Sequence, residues 1–144
     1  MSLSHDFKQF LDQSTDAHLI SDLNGFIIYC NPACNDLFGY NEFDLEHKPI
    51  TILMPEQYVS LHNKGMLHHN QTGEKRVIGS IVELEAKKKD DSVFPMELSL
   101  SKIKLDDRVV FSGIIRDISH RKNLEIDLKN KIEEREVLLK EVHH

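Results

Sequence analysis

Histidine and cysteine are the side chains most able to bind a metal or act as a nucleophile near neutral pH. The chain holds nine histidines and two cysteines among 144 residues. Cys30 and Cys34 stand four apart, across what reads as a strand-to-helix junction, a poor spacing for zinc. Two thiols are too few for a disulfide framework and suit a reducing compartment. Small core residues are the plainer roles for both. His68 and His69 are neighbours, and adjacent histidines on a helix point apart, so solvent exposure is expected rather than a metal shared with His62. His62 falls in line with Val59, Met66 and His69 along one side of a helical pattern from Glu56 to Asn70. No glycine-rich phosphate loop and no nucleophile–base pair occurs. This stretch of chain is not expected to be an enzyme by itself.

The elements that must position these side chains follow from periodicity and punctuation. Phe7, Phe10 and Leu11 fall on one face of a short amphipathic helix over residues 1–13. Two β-prone runs, Ala17 to Asp22 and Phe26 to Cys30, flank Asn24-Gly25 and predict a hairpin. Asn31-Pro32 then starts a helix that Gly39 stops. After the helix from Glu56, three strands are expected: Arg76 to Lys88, Ser92 to Leu105 and Val109 to Ile118. Phe94, Met96, Leu98 and Leu100 alternate to one face of the second. Strands in blocks around a helical block indicate an α+β domain, a five-stranded antiparallel sheet covered on one face by short helices.

Beyond Ile118 the chain has neither Gly nor Pro, and Leu124, Leu128 and Ile132 step by four. Glu125 to Lys129, Asp127 to Lys131 and Glu136 to Lys140 are acid-before-base pairs, the better order on a helix. Such a stripe needs a partner, and a parallel copy of itself is the simplest one, so a coiled-coil homodimer is expected, with the N-terminal helix contributing. Net charge is −6, from 18 basic and 24 acidic residues. That is the wrong sign for a nucleic-acid partner. No apolar run approaches the ~20 residues of a membrane helix and no signal peptide opens the chain. A cytoplasmic location without membrane contact by this segment is expected, whether or not a larger parent is tethered.

Asp22-Leu23-Asn24-Gly25 followed by Tyr29-Cys30-Asn31-Pro32-Ala33 resembles the opening of a PAS domain. Leu37-Phe38-Gly39-Tyr40 resembles the end of that family's first core helix. Leu53-Met54-Pro55, Gly73-Glu74, Val77-Ile78-Gly79, Lys89-Asp90 and Phe94-Pro95-Met96-Glu97-Leu98-Ser99 match its second half. Gly113-Ile114-Ile115-Arg116-Asp117-Ile118-Ser119 resembles its closing strand and exit. The resemblance spans residues 14–120 and implies the PAS fold, flanked by the N-terminal helix and a C-terminal coiled-coil helix. It also implies a sensor pocket, with Asp117, Ile118 and Ser119 passing its state to the linker helix.

The nearest flavour is that of oxygen-sensing haem-PAS kinases, in which a His on the long helix binds the haem iron, and His62 falls on that position. Val82, Leu84, Met96, Leu98 and Ile115 would line the pocket. Where those sensors carry an Arg to hydrogen-bond oxygen, this chain has Val82, and where a relative uses a second Met ligand it has Ser80. Two readings of His62 stand side by side: a haem ligand, or an ordinary half-buried histidine, with the cofactor unknown. A flavin is not expected, because Cys34 sits in the wrong helix for a flavin-reactive thiol.

Residues 121–144 are read as a helical signalling linker and the start of a phosphoacceptor helix. Leu138-Leu139-Lys140-Glu141-Val142-His143-His144 resembles that helix in one histidine-kinase subfamily, with His144 as the phosphorylated residue. The resemblance thus implies the sensor module of a two-component histidine kinase, with a downstream kinase domain and a response regulator as partners. A ligand-free dimerisation or spacing module, and a sensor for a diguanylate cyclase or transcription regulator, are the alternatives.

Overall fold

Ser4 opens the first helix: its Oγ accepts the Phe7 N–H at 3.2 Å, and α1 runs over His5–Asp12. The computed structural model describes residues 3–72 and 78–142. Strands β1 (Ala17–Ser21) and β2 (Ile27–Cys30) form the expected hairpin. Asp22 Oδ1 accepts the N–H groups of Asn24 and Phe26, both at 2.9 Å, and Gly25 takes φ +88° to complete the turn. Helix α2 (Pro32–Phe38) has Asn31 as its N-cap and Gly39, at φ +82°, as its left-handed terminator. A 3-10 turn at Ile50–Leu53 leads to α3 (Glu56–Thr72), and β3 (Ile81–Lys87), β4 (Val93–Leu105) and β5 (Arg108–Asp117) follow as antiparallel neighbours. Helix α4 covers Ser119–Val142.

The sheet order is β2-β1-β5-β4-β3, which puts the first and last parts of the domain side by side at β1 and β5. Alternation divides the side chains between two faces. Ala17, Leu19, Ile27, Cys30, Phe94 and Ile115 face Cys34, Phe38, Leu45 and Leu53 in one core. Ile20, Tyr29 and Val110 face the other way, against Leu11 and Phe7 of α1. The N-terminal helix therefore docks on its own sheet, and Tyr29 Oη donates to Asp12. Phe10, expected on the same helical face as Phe7 and Leu11, is 70% exposed. Phe7 and Leu11 are a full turn apart and together meet the sheet, which leaves Phe10 off the line of contact.

One strand is shorter than its pattern suggests. The expected strand from Arg76 begins only at Ile81, because Gly79 sits in a left-handed turn (φ +85°) with its N–H on Leu100 O at 2.8 Å. The start of that expected strand, residues 76–77, lies outside the described residues.

Asn31 holds three of these pieces together from a fully buried position. Its Oδ1 accepts the N–H of Cys34 (3.1 Å) and of His18 (2.9 Å), and its Nδ2 donates to Leu11 O (2.8 Å) and Asp16 O (2.9 Å). Every hydrogen-bonding valence of the amide is used. Asn31→Ala removes the cap and strands backbone groups, so it is expected to cost about 3 kcal/mol in chemical denaturation. Asn31→Asp is expected to be comparably harmful, since a carboxylate cannot donate to the two carbonyls. A loss below about 1 kcal/mol for both variants would show that water replaces the amide.

Candidate ligand cavity and signal exit

The inner face of the sheet is only partly filled by α2 and the 3-10 turn, and α3 walls off the remaining space. The result is a cavity of about 380 Å³. Leu19, Ser21, Leu84, Met96, Leu98, Leu100, Phe111, Gly113 and Ile115 form its sheet side, and Ile50, Met54, Leu61, His62 and Met66 are among the residues opposite. Gly113 matters to the floor: a Cβ there would lie 3.3 Å from Leu98 Cδ1 and press into the lining. On α3, Val59, His62 and Met66 are half-buried while the residues between them are exposed, the face expected from their spacing. Leu61 (69%) and Leu84 (45%) line the cavity yet reach the surface, so it opens between α3 and β3.

His62 brings a polar atom to this apolar space. Its Nδ1 is buried with no hydrogen-bond partner. Desolvation holds its pKa below the ordinary value of 6.5, and the side chain of Asn63 offsets this only in part. The ring is therefore neutral at pH 7. Leu84, Met96, Leu98 and Ile115 stand in the lining with it. Val82 does not. It lies opposite Leu98 near the start of edge strand β3, half-buried and outside the lining residues.

The same strands carry a second set of contacts on the opposite face. Glu83 and Glu97 are directly paired across β3 and β4, and like charges in that position repel. Arg121 of α4 bridges them, at 2.7 Å to Glu83 and 3.2 Å to Glu97, and Lys122 adds a 2.7 Å contact to Glu83. The hydrogen bond from Lys122 holds the Glu83 carboxyl below its ordinary range. Asp117 Oδ1 accepts the N–H of Ser119 at 2.9 Å, and Ile118, buried, donates its N–H to Pro95 O at 3.1 Å. Asp117, Ile118 and Ser119 thus fasten the first turn of α4 to the end of the sheet. Nothing in the local sequence pattern marks Arg121 for this bridging role.

Cys30 and Cys34 are both buried. The Cys30 contact and burial push the Cys34 thiol well above its ordinary range, away from nucleophilic or metal-binding use. Among the described residues no cluster of three or more His, Cys, Asp or Glu is arranged to hold a metal. No described helix is long and apolar enough to cross a membrane. His144 lies outside the described residues.

The PAS domain family matches residues 15–120. The chain belongs to the PAS family. An uncharacterized protein of Azorhizobium caulinodans is 36% identical over 115 residues, 79% of this chain, and the sensor protein FixL of Bradyrhizobium diazoefficiens is 27% identical over 122 residues, 85% of it. The chain spans only 16% and 24% of those two proteins' own lengths. A crystal structure of a PAS domain from Colwellia psychrerythraea superposes with a TM-score of 0.65 at 23% identity, covering 80% of this chain and 96% of that one.

Of what a haem would require from this PAS cavity, the described residues supply one part. His62 offers a neutral ring beside apolar walls, the setting of an axial ligand. Among the described lining residues none is Lys or Arg to meet carboxylates, and Val82, at the position that a hydrogen-bonding Arg would occupy, is not in the lining. The described lining thus offers an axial-ligand candidate and apolar walls, without a cationic partner for the carboxylates.

The burial of His62 has a consequence for stability. Its folded pKa lies below the unfolded value of 6.5, so the unfolded chain takes up the proton first as pH falls. Stability contributed by the neutral ring is present above pH 6.5 and lost below it. Comparing denaturation of the parent chain with His62→Leu from about pH 8 to about pH 5 should show the parent losing stability more steeply on acidification. Parallel profiles would mean that His62 is solvated.

Proposed function

We propose that this chain is the regulatory sensor module of a two-component histidine kinase, in which the state of the cavity is passed through a dimeric helical linker to a downstream kinase domain. One observation carries the reading: neighbouring residues of β3 and β4 serve both ends of the route. Leu84, Met96 and Leu98 face the cavity, while Glu83 and Glu97, next to them in sequence, hold Arg121 at the root of α4. A shift of either strand moves both sets, because successive side chains project from one backbone. The resemblance to a protein named as a sensor supports the same reading. A cavity of about 380 Å³ favours it over a ligand-free spacer, since packed interiors hold few voids larger than a water molecule.

The linker reading rests on α4. Leu124 (54%), Leu128 (61%) and Ile132 (52%) are exposed on a helix of 24 residues, and Leu138 and Leu139 extend the apolar surface. A second copy in parallel is the partner that would cover this stripe and bring two kinase domains together. Phe10, exposed on α1, is available to the same interface, whereas Phe7 is engaged by its own sheet.

Sedimentation of the chain should show a dimer, and Leu124→Asp with Leu128→Asp should shift it to monomer while far-ultraviolet dichroism of the domain persists. A parent chain that stays monomeric at high micromolar concentration rejects the linker reading. In the full-length kinase, Asp117→Ala or Arg121→Ala is expected to leave the domain folded and hold phosphorylation at one level regardless of signal. His144→Gln is expected to abolish phosphorylation, and normal incorporation of phosphate in that variant would overturn the kinase assignment.

A further inference from the structure

The cavity's lining has a chemical signature that narrows its occupant. Its polar side chains are few, and one of them, His62, has a buried Nδ1 that lacks a partner. Leaving a buried polar atom unpaired is unfavourable, and a guest able to pair with it recovers that loss. Gly65, one turn along α3, lines the same space, and a Cβ there would meet nothing within 4 Å. Met54, Met66 and Met96 contribute flexible thioether side chains that adjust to irregular apolar shapes. A buried charge would need a counter-charge, and the described lining residues include no lysine, arginine, aspartate or glutamate.

We propose that the cavity takes an uncharged, largely apolar molecule with a single hydroxyl-class group, and that His62 Nδ1 pairs with that group. The proposal rests on the reading of this cavity as the ligand site. A hydroxyl both donates and accepts, so it pairs with either tautomer of the neutral ring. His62 then sets specificity and the apolar walls supply most of the affinity.

Three probes on one ring system separate these contributions by calorimetric or fluorescence titration near pH 7.5: 1-naphthol, its near-isostere 1-methylnaphthalene, and 1-naphthoate. The expected order is 1-naphthol tightest, 1-methylnaphthalene about three- to tenfold weaker for the lost hydrogen bond, and the anion weaker by about a hundredfold or more. His62→Leu should erase the gap between the first two while leaving 1-methylnaphthalene binding unchanged, and His62→Gln, which keeps a hydrogen-bonding group, should restore part of it. A naphthoate that binds as well as naphthol, or a gap that survives His62→Leu, overturns the proposal. If no probe binds but haem titration gives a Soret band that His62→Ala removes, the ligand class is wrong and the sensor reading survives. If neither haem nor any probe binds, both fall.

Discussion

One buried amide holds the domain in register. Asn31 stands where β2 ends and α2 begins, and its four hydrogen bonds reach the end of α1, the connection into β1, β1 itself and the first turn of α2. A polar group so deeply buried is tolerable only because each of its valences is met. The arrangement is therefore close to all-or-none: moving any one of the four segments strands atoms in the others. The N-terminal helix, the first hairpin and the helical cover of the sheet are fixed relative to one another at this point. The cavity can remain open on its other side, under α3, without loosening the fold.

The second organising fact is electrostatic. Glu83 and Glu97 would repel one another across β3 and β4, and the cation that relieves them comes from α4. Sheet and C-terminal helix thus need each other at their junction. These groups are substantially exposed, and surface ion pairs add little to global stability. Their contribution is to orientation: a guanidinium that satisfies two carboxylates on adjacent strands has few positions from which to do so.

What could be read from the sequence was what is local. The hairpin at Asn24-Gly25, the cap at Asn31, the terminator at Gly39 and the alternation of Met96, Leu98 and Leu100 are each decided within a few residues. Periodicity together with family resemblance singled out His62, Leu84, Met96, Leu98 and Ile115, and these residues line the cavity. The long-range bonds of Asn31, which span 13 to 20 residues, left no trace in local pattern. Neither did the partnership of Arg121 with residues 24 and 38 positions earlier. Phe10 and Val82 misled for a related reason. Spacing identifies the face a residue shares, but only packing decides which part of that face is covered.

Helix α4 magnifies whatever happens at its root. It is 24 residues long, and among the described residues the contacts that fasten it to the sheet lie near its first turn. At ~1.5 Å per residue it is a rod of about 36 Å, and tilting that rod by about 5° about the Arg121 bridge displaces its far end by about 3 Å. A pivot at the Arg121 bridge that is slight at the sheet is therefore large at Val142. The mechanical advantage lies in the ratio between a short, charged fulcrum and a long, uninterrupted arm.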